Sequence, residues 1–374
     1  MRICMLLHKS VEHDGRVRRE ARALSEAGHR VEVVHLPPSL PGPTLAEEPF
    51  SLTPATLPRW RRLPFKLHRL AEAFNMARLA RRARPDAVHA HDVAMLVPAY
   101  IAARPSRARL VYDSHELATG VPYRSRPWAL LVVAIERLLV PRCDLVVTVS
   151  SGIADRLSER YALAARPIVV RNACDLPPPG AVSAPDLKRE LGVGDAPLVL
   201  HQGAVVPDRG CETLARAIAE VDGAHLLFLG AEGPYAEHLQ ALAAGLGLDG
   251  RVHFHPPVRL DSLLSYTAQA DVGVSLLEDT CENHRLALPN KVFEYVSARI
   301  PVVASELPEL EMLVRTYGIG WVADPCDAAS IAASLRRALE LLSHGGMRGE
   351  LDDAQSALSW EREAETLKFA YSAL

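Results

Sequence analysis

Short apolar runs alternate with longer amphipathic stretches along all 374 residues of the chain. The short runs have the length of strands and are bounded by turn residues, whereas the longer stretches repeat their apolar residues at helical spacing. Strands are predicted in the first half at Arg2–Leu7, Arg30–His35, Ala87–His89, Arg109–Tyr112, Leu145–Val149 and Pro167–Val170. Strands are predicted in the second half at Leu198–Gln202, His225–Leu229, Val252–His255, Val272–Leu276 and Val302–Ala304. This alternation is typical of βαβ units, so we expect an α/β protein with doubly wound parallel sheets.

A proline-rich break divides this pattern into two halves. The break is Leu176–Ser183, after which the alternation of strands and helices starts again. A chain of this length favours two domains over one oversized core. We therefore predict Rossmann-like domains at residues 1–178 and 179–355, and a loop without regular structure at Pro37–Pro64. The clearest predicted helices are Arg16–Ala27, Leu67–Ala83 and Trp128–Val140.

The composition argues against several classes of protein. There are 42 Lys and Arg against 45 Asp and Glu, so the net charge of -3 gives no reason to expect a nucleic-acid partner. The longest apolar stretch, Trp128–Val140, is broken by Glu136 and Arg137 and is too short to span a membrane. The first apolar run is too short for a signal peptide, so we expect a cytoplasmic protein. The 6 cysteines stand singly, which argues against a zinc or redox site.

Histidines and carboxylates follow two predicted strands of the first half. The motif DAVHAHD ends on His91 and Asp92, and VYDSHEL contains His115 and Glu116. Ligands of doubly wound sheets bind outside the carboxyl ends of the strands, so both clusters should face one cleft. The spacing of His89 and His91 suits two metal ligands, but no third ligand is nearby in the sequence. We therefore predict no metal site.

A basic helix start follows the first strand, in HDGRVRRE. The free N–H groups and partial positive charge of a helix N-terminus suit an anionic or polyhydroxyl ligand. We interpret Arg18, Arg19 and Arg22 as a solvated face of this helix. For Arg16, in the first turn, a solvated position and a ligand contact both stay open.

The second half contains the outline of a diphosphate site. Gly203 follows a strand and lets the backbone approach a ligand closely, and Arg209 stands just before a predicted helix. The segment LPNKVFE predicts a second helix start, with Asn290 as its N-cap and Lys291 in its first turn. Both helix starts offer free N–H groups to phosphate oxygens. Glu294, one turn later, can accept two hydroxyl hydrogen bonds from a ribose.

Taken together, these pieces resemble the retaining, GT-B-fold glycosyltransferases of glycosyltransferase family 4. The resemblance covers nearly the whole chain and rests on unlinked motifs that follow the family's order. The motifs are D-x-R with AGH-x-V, HAHD, VYDSHEL, CDLVVTVSSGIADRL, VRNACDL, the Gly203 turn, FLGAEGPY, VHFHPPV, ADVGVSLL and LPNKVFEYVSARIPVVAS. The resemblance implies two Rossmann-like domains that face each other across a cleft. It also implies that a helix within residues 356–374 packs back on the N-terminal domain.

By this resemblance the C-terminal domain binds a nucleotide-sugar, which is a substrate and not a cofactor. Glu294 would bind the ribose, Arg209 and Lys291 would hold the diphosphate, and the backbone near His255 would flank the base. Same-face substitution at the sugar is expected, with the leaving phosphate helping to deprotonate the acceptor. No metal and no cofactor are expected.

The N-terminal domain would hold the acceptor hydroxyl, and His115 would contact the donor sugar at the reaction centre. Asn172 would lie at the crossover between the domains. The residues predicted on the acceptor side are Arg16, His91, Asp92, Glu116 and Asn172.

Two positions depart from the family pattern. The first Glu of the family's Glu-x7-Glu motif falls on Leu286, and the frequent Arg after the glycine turn is Ala204. The first departure leaves the donor-sugar contact to other groups of the same loop. The candidates are Glu278, Glu282, Asn283, His284 and backbone groups.

The acceptor stays open between glycan, lipid-linked and natural-product hydroxyls. The segment Arg59–Arg84 is basic, holds a single carboxylate at Glu72 and interleaves apolar residues. Such a segment can lie on an anionic membrane and present a lipid-linked acceptor, or it can be a solvated helix face. Two other functions also stay open, namely a binding protein without catalysis and a sugar-nucleotide epimerase or phosphorylase on the same architecture.

Overall fold

A computed structural model describes residues 1–37, 48–56, 65–122, 126–175 and 186–374. The contacts within it divide the chain into two units. The first unit joins Met1–Arg171 to Glu363–Leu374, and the second unit is Asn172–Arg362. The predicted boundary near residue 178 lies outside the described residues.

The first unit is built on a seven-stranded sheet whose strands all pair in parallel. Its strands are β1 (Arg2–Leu7), β2 (Arg30–His35), β3 (Ser51–Pro54), β4 (Ala87–His91), β5 (Arg109–Ser114), β6 (Leu145–Thr148) and β7 (Ile168–Val169). Their order is β3-β2-β1-β4-β5-β6-β7. The order reverses between β1 and β4, which is the switch point where such sheets bind ligands.

Helices connect these strands, and side-chain caps fix where two of them begin. The helices are α1 (Gly15–Glu26), α2 (Phe65–Arg82), α3 (Val93–Ala103), α4 (Arg126–Leu139) and α5 (Ser151–Tyr161). The Asp14 carboxylate accepts the N–H of Val17 at the start of α1, and the Ser150 hydroxyl accepts that of Ile153 at the start of α5. These bonds satisfy N–H groups that have no partner within the helix.

The second unit has a six-stranded parallel sheet of the same kind. Its strands are β8 (Leu198–Gln202), β9 (His225–Leu229), β10 (Val252–His255), β11 (Val272–Ser275), β12 (Val302–Ser305) and β13 (Gly320–Ala323). Their order is β10-β9-β8-β11-β12-β13. Leu198 and Leu200 contribute to one apolar cluster and Val199 to another, because successive side chains leave opposite faces of a strand. Both faces are therefore covered, which explains the continuous apolar runs in the sequence.

Ten helices of the described residues flank or follow this second sheet. They are α6 (Leu187–Glu190), α7 (Cys211–Ala219), α8 (Gly233–Gly245), α9 (Leu260–Thr267), α10 (Glu282–Leu286), α11 (Asn290–Ser297), α12 (Pro308–Tyr317), α13 (Ala328–Ser343), α14 (Arg348–Ala357) and α15 (Trp360–Ser372). The later part of α15 belongs to the first unit, where the Tyr371 hydroxyl lies 2.8 Å from Nδ1 of His89. No helix in the described ranges combines the length and apolar content that a membrane crossing requires.

The predicted α/β class with two Rossmann-like sheets is confirmed, and so are the central strands. The prediction of an irregular Pro37–Pro64 is wrong at β3, which pairs in parallel with β2. β3 is an edge strand with mostly exposed side chains, so burial imposes no apolar pattern on it. The edge strand β13 was not predicted for a related reason, since three of its four side chains are only partly buried.

Candidate functional site

A cavity of about 540 Å³ opens at the carboxyl ends of the strands in the second unit. The turns after β8 and β9 and the starts of α7 and α11 surround it. Its lining residues are Gln202, Gly203, Ala204, Arg209, Leu229, Gly230, Glu232, Pro257, Val258, Leu260, Leu263, Ser275, Leu276, Leu277, Pro289, Asn290, Lys291 and Glu294. Five of the predicted donor residues therefore line one cavity, namely Gly203, Arg209, Asn290, Lys291 and Glu294.

Two glycines let the turns after β8 and β9 approach each other. Gly203 has φ +89° and donates its N–H to the carbonyl of Leu229 at 2.9 Å. Gly230 has φ +108°, and a Cβ there would lie 2.4 Å from the Gly203 carbonyl oxygen. A side chain at Gly230 would push these turns apart, and the positive φ values favour glycine at both positions. Backbone atoms of Gly203 and Gly230 therefore line the cavity.

The start of α7 places a cation beside a helix N-terminus at the cavity. Arg209 lines the cavity and makes no ion pair with the described residues. The next residue, Gly210, has φ +63°, and a Cβ there would come within 2.7 Å of Leu276 Cβ. This close packing fixes the start of the helix. A guanidinium beside a helix N-terminus is suited to phosphate oxygens.

The start of α11 supplies a second cation. Asn290 is the first helical residue and Pro289 occupies the N-cap position, so the prediction of Asn290 as the cap is wrong. Pro289 has extended dihedral angles and its side chain makes no capping hydrogen bond, which leaves the first N–H groups of α11 available at the cavity. Lys291 extends from the first turn and brings Nζ to 3.3 Å from His201 Nε2.

Burial, reinforced by the charge of Arg209, lowers the pKa of Lys291 to about 8. The adjacent His201 is fully buried, and burial next to Lys291 holds its pKa well below the usual value. His201 is therefore neutral and can accept a hydrogen bond from the ammonium group. An anion in the cavity would stabilise the charged form of the lysine.

A chain of hydrogen bonds holds the carboxylate of Glu294. The Gln202 side-chain amide donates to Oε2 of Glu294, and the Thr267 hydroxyl lies 2.7 Å from Oε1 of Gln202. Gln202 is itself fixed, since its backbone N–H donates to the Tyr295 hydroxyl at 3.2 Å. Gln202 and Thr267 are buried, so the carboxylate is presented in one orientation at the cavity wall.

Three other residues predicted at the donor site lie outside the lining of the cavity. The ring of His255 packs near that of Tyr266, although its neighbours Pro257 and Val258 do line the cavity. Asn283 is buried within α10, and His284 Nδ1 lies 2.9 Å from the carbonyl oxygen of Glu278.

The loop before α10 contributes no carboxylate to the lining of the cavity. The first Glu of the Glu-x7-Glu motif would have supplied one from this region. Leu286 closes α10 and is partly buried. The Glu278 carboxylate, one predicted substitute for the missing Glu, accepts the N–H of Gly210 at 3.2 Å. Glu278 therefore helps to fix the start of α7.

In the first unit, Arg16 is buried in an ion pair and is not a solvated residue. Its guanidinium donates to both carboxylate oxygens of Asp113 at 2.9 and 2.8 Å. It also donates to the carbonyl of Val170 at 2.7 Å and lies 2.9 Å from the Glu20 carboxylate. Burial disfavours the charged form of Asp113, yet Arg16 and His115 hold its pKa well below the usual value. Of the two possibilities for Arg16, the structure shows neither a solvated side chain nor an exposed ligand contact.

His115 lies between two carboxylates at the carboxyl end of β5. Its Nε2 is 2.9 Å from Asp113 Oδ2, and its Nδ1 is 3.4 Å from Asp92 Oδ2. Burial opposes the charged form, but these two acids raise the pKa of His115 to about 9. The ring is therefore an imidazolium at neutral pH. Its side chain is still 14% exposed, so part of the ring remains accessible.

Two of the other residues predicted on the acceptor side, His91 and Asp92, contact this imidazolium. His91 is fully buried, with Nδ1 3.2 Å from His115 Nε2. Asp92 adopts φ +64°, a strained conformation for a residue with a side chain, and accepts the backbone N–H of His115 at 3.2 Å. Glu116 is exposed beside them. Asn172 is buried and belongs to the second unit.

Folding brings together four residues that could ligate a metal, although their sequence spacing did not suggest it. Ligand atoms of Glu20, His89, His91 and Asp113 all lie within 4.8 Å of one another. The guanidinium of Arg16 already occupies both oxygens of Asp113 and contacts Glu20. The negative charge of this cluster is therefore compensated by a side chain.

Four residues that build these two sites were not predicted from the sequence, namely Gln202, His201, Glu20 and Asp113. A signal was present in three of them, because Gln202, His201 and Asp113 are polar residues at the ends of otherwise apolar strands. Glu20 gave no such signal, since a glutamate in an amphipathic helix is ordinary. Its contact with Arg16 becomes visible only when α1 packs on the sheet.

The two doubly wound sheets and the polar sites at their strand ends define a protein of the GT-B glycosyltransferase architecture. The sequence model described as Glycosyltransferase Family 4 matches residues 16–176, and the model described as Glycosyl transferases group 1 matches residues 196–341. The chain belongs to glycosyltransferase family 4.

Two curated relatives of this chain are also named as glycosyltransferases. D-inositol 3-phosphate glycosyltransferase of Geodermatophilus obscurus is 30% identical over 313 residues, which span 77% of this chain and 66% of the relative. A GDP-mannose-dependent alpha-(1-6)-phosphatidylinositol monomannoside mannosyltransferase of Mycobacterium tuberculosis is 32% identical over 176 residues, which span 44% of this chain and 45% of the relative. The chain thus spans about half to two thirds of the length of these relatives.

Solved structures with the same fold cover the whole chain. Sucrose-phosphate synthase from Thermosynechococcus elongatus aligns with a TM-score of 0.79 at 18% identity and covers 100% of this chain and 99% of its own. HepE from Anabaena, solved in complex with UDP, aligns with a TM-score of 0.75 at 18% identity and full coverage of both chains. At these identities the alignments establish the fold alone.

Proposed function

We propose that this protein transfers a sugar from a nucleotide-sugar to an acceptor hydroxyl with retention of configuration. The observation that carries the proposal is the convergence of Arg209, Lys291 and Glu294 on one cavity that also receives two helix N-termini. Two cations and free N–H groups suit a diphosphate, and a fixed carboxylate suits the hydroxyls of a ribose. HepE, which shares the fold, was solved with UDP.

In this proposal different residues of the cavity would bind each part of the donor. Glu294 would accept hydrogen bonds from the two ribose hydroxyls, with Gln202 holding its carboxylate in place. The apolar side chains of Pro257 and Val258 would flank the base. The diphosphate would lie between Arg209 and Lys291. Since the volume is about 540 Å³, the cavity falls within the range of ordinary small-molecule sites.

Fixed cations at the diphosphate would act mainly in the transition state. Breaking the bond from sugar to phosphate leaves negative charge on the phosphate, which Arg209, Lys291 and the N–H groups of α7 and α11 would stabilise. A preorganised donor of this kind contributes roughly 3–4 kcal/mol to transition-state stabilisation in enzymes with oxyanion holes. We propose that these side chains replace a metal, and that the phosphate itself takes the acceptor proton during same-face substitution.

We propose that the first unit supplies the acceptor side. His115 would contact the donor sugar as a fixed imidazolium, because carboxylates face both of its nitrogens. Asp92 and Glu116 are the nearby carboxylates able to accept hydrogen bonds from a polyol acceptor. Two relatives are named for inositol-containing acceptors, which favours a polyhydroxyl acceptor here.

Transfer assays with purified protein test this function. UDP-glucose and GDP-mannose serve as donors and inositol phosphates and glycerol as acceptors, and NMR of the product reports its anomeric configuration. Glu294→Ala should reduce kcat/KM for the donor about 100-fold, whereas Glu340→Ala on the exposed face of α13 should leave it unchanged. Full activity of the Glu294 variant, or an inverted product, would contradict the proposal.

The alternatives give different results in the same samples. A binding protein would retain donor in calorimetry without transfer to any acceptor. An epimerase would return a nucleotide-sugar with the nucleotide still attached, and a phosphorylase would require free phosphate. Either result would replace the proposed transfer.

A further inference from the structure

Eight large apolar side chains are exposed on three helices of the first unit. On α4, Trp128 is 52% exposed and Leu130 is 66% exposed, and on α2, Phe74 is 65% exposed. Leu130 and Leu138 are eight residues apart, so both lie on one face of α4. The full set is Leu70, Phe74, Ile101, Trp128, Leu130, Leu131, Val133 and Leu138. Exposed apolar side chains that are grouped on a few elements are typical of an interaction site.

The three helices are neighbours, because α3 packs against both α2 and α4. Between α2 and α3 runs a groove of about 320 Å³. Phe74, Ala77 and Ile101 give it an apolar floor, and Arg78, Arg81 and Arg82 line it as well. The groove therefore combines apolar contact with three positive charges.

The same surface is strongly basic. The exposed arginines on these helices and the turns that follow them are Arg69, Arg78, Arg81, Arg82, Arg84, Arg104, Arg107, Arg126, Arg137 and Arg142. The stretches 65–84, 93–107 and 126–142 contain two acidic residues, Glu72 and Glu136. Glu136 is fully buried and bonded to tyrosine hydroxyls, and Glu72 lies 3.2 Å from His68. The surface thus has a large excess of positive charge.

We propose that α2, α3 and α4 form a docking surface for a bilayer that contains anionic phospholipids. The apolar side chains would enter the interfacial region, and the arginines would pair with lipid phosphates. The groove between α2 and α3 would take a lipid headgroup phosphate at Arg78, Arg81 and Arg82. A second copy of this chain fits less well, because a symmetric contact would set arginines against arginines.

Vesicle flotation tests the proposal without donor or acceptor, so the result does not depend on glycosyl transfer. Vesicles of phosphatidylcholine with phosphatidylglycerol should bind the protein, and pure phosphatidylcholine vesicles should bind it at least about tenfold less. Added salt should weaken the binding, since part of it is electrostatic.

Two double variants separate the apolar from the charged contribution. Leu130→Ser with Leu138→Ser, and Arg81→Glu with Arg82→Glu, should each lower the partition coefficient about tenfold or more. Leu341→Ser on α13 and Arg216→Glu on α7 exchange exposed residues of the same types in the second unit and should bind like the unchanged protein. Thermal unfolding checks that all four proteins are folded.

Three results would overturn the proposal. They are absence of binding to the anionic vesicles, undiminished binding by both double variants, and equal binding to neutral and anionic vesicles. Light scattering can give a fourth result that would overturn the proposal. If the protein dimerises without binding vesicles, and the double leucine variant is a monomer, the surface is an interface between two copies.

Discussion

The lysine of the donor cavity should make donor capture depend on pH. Burial lowers the pKa of Lys291 from 10.5 to about 8, so the charged form is disfavoured in the empty cavity by about 3 kcal/mol. Its neighbours do not titrate in this range, because burial holds the pKa of His201 well below the usual value and raises that of Cys211 to about 11. A diphosphate beside the amine would restore the charge.

The two kinetic constants should therefore respond differently. The pH profile of kcat/KM reports the free enzyme, so it should fall about tenfold between pH 8 and 9, and more steeply above about 9, where His115 also loses its proton. The profile of kcat reports the loaded enzyme, in which the donor diphosphate has raised the pKa of Lys291, so its fall should begin at higher pH. Initial rates at varied donor concentration between pH 6 and 10 measure both.

A variant that keeps its charge gives the control. Lys291→Arg should lose the fall that begins near pH 8, even if its rates are lower throughout, because arginine does not titrate there. A second fall near pH 9 should remain, since His115 has a pKa of about 9. Lys368→Met, on α15, should leave the profile unchanged. If Lys291→Arg still loses activity from pH 8 upward, the assignment to Lys291 is refuted.

Three further predictions concern the hydrogen-bond network and the buried charges. Gln202→Leu should lower kcat/KM about tenfold for a ribose donor and much less for its 2′-deoxy analogue, because Glu294 loses the amide that orients it; steady-state kinetics with both donors checks this. Arg16→Leu should destabilise the fold by about 3–5 kcal/mol, since the buried Asp113 charge loses its partner, as measured by denaturant unfolding. Burial raises the pKa of Glu20 to about 8, so the stability it contributes is present below pH 4.5 and is lost as the pH rises through 8. Glu20→Gln should therefore be more stable than the unchanged protein at pH 8 and similar to it near pH 5.

Matched substitutions away from these sites separate the predicted effects from general damage. Gln355→Leu leaves the donor cavity untouched and should not alter discrimination between the two donors. Arg30→Leu removes an exposed arginine and should change stability by less than about 0.5 kcal/mol. Glu26→Gln, at the end of the same helix as Glu20, should leave the pH dependence of unfolding unchanged. A control that reproduces the effect of its partner would contradict the corresponding prediction.

Whether a strand could be predicted from the sequence depended on how far its side chains are buried. Strands such as Leu198–Gln202 are covered on both faces, so their apolar runs gave correct bounds. β3 carries mostly exposed side chains at the sheet edge and left no such pattern. Glycine turns and helix starts indicated the donor cavity because phosphate chemistry uses local backbone features that a short motif records.

Long-range charge pairing was not visible in the same way. Arg16 and Asp113 are 97 residues apart, and no spacing rule connects them before the sheet is assembled. A solvated position and a ligand contact were the two possibilities for Arg16, and neither included the buried ion pair. The cap at α11 was misplaced by one residue, because Pro289 and Asn290 both have sequence preferences for helix starts.

The membership of Glu363–Leu374 in the first unit has a consequence for biosynthesis. The last segment of this unit is synthesised after all of Asn172–Arg362. It contains Tyr371, whose hydroxyl lies against His89. All residues of the second unit are therefore synthesised before the first unit receives its last segment. Until translation has passed residue 371, His89 lacks the hydroxyl that lies against it in the folded protein.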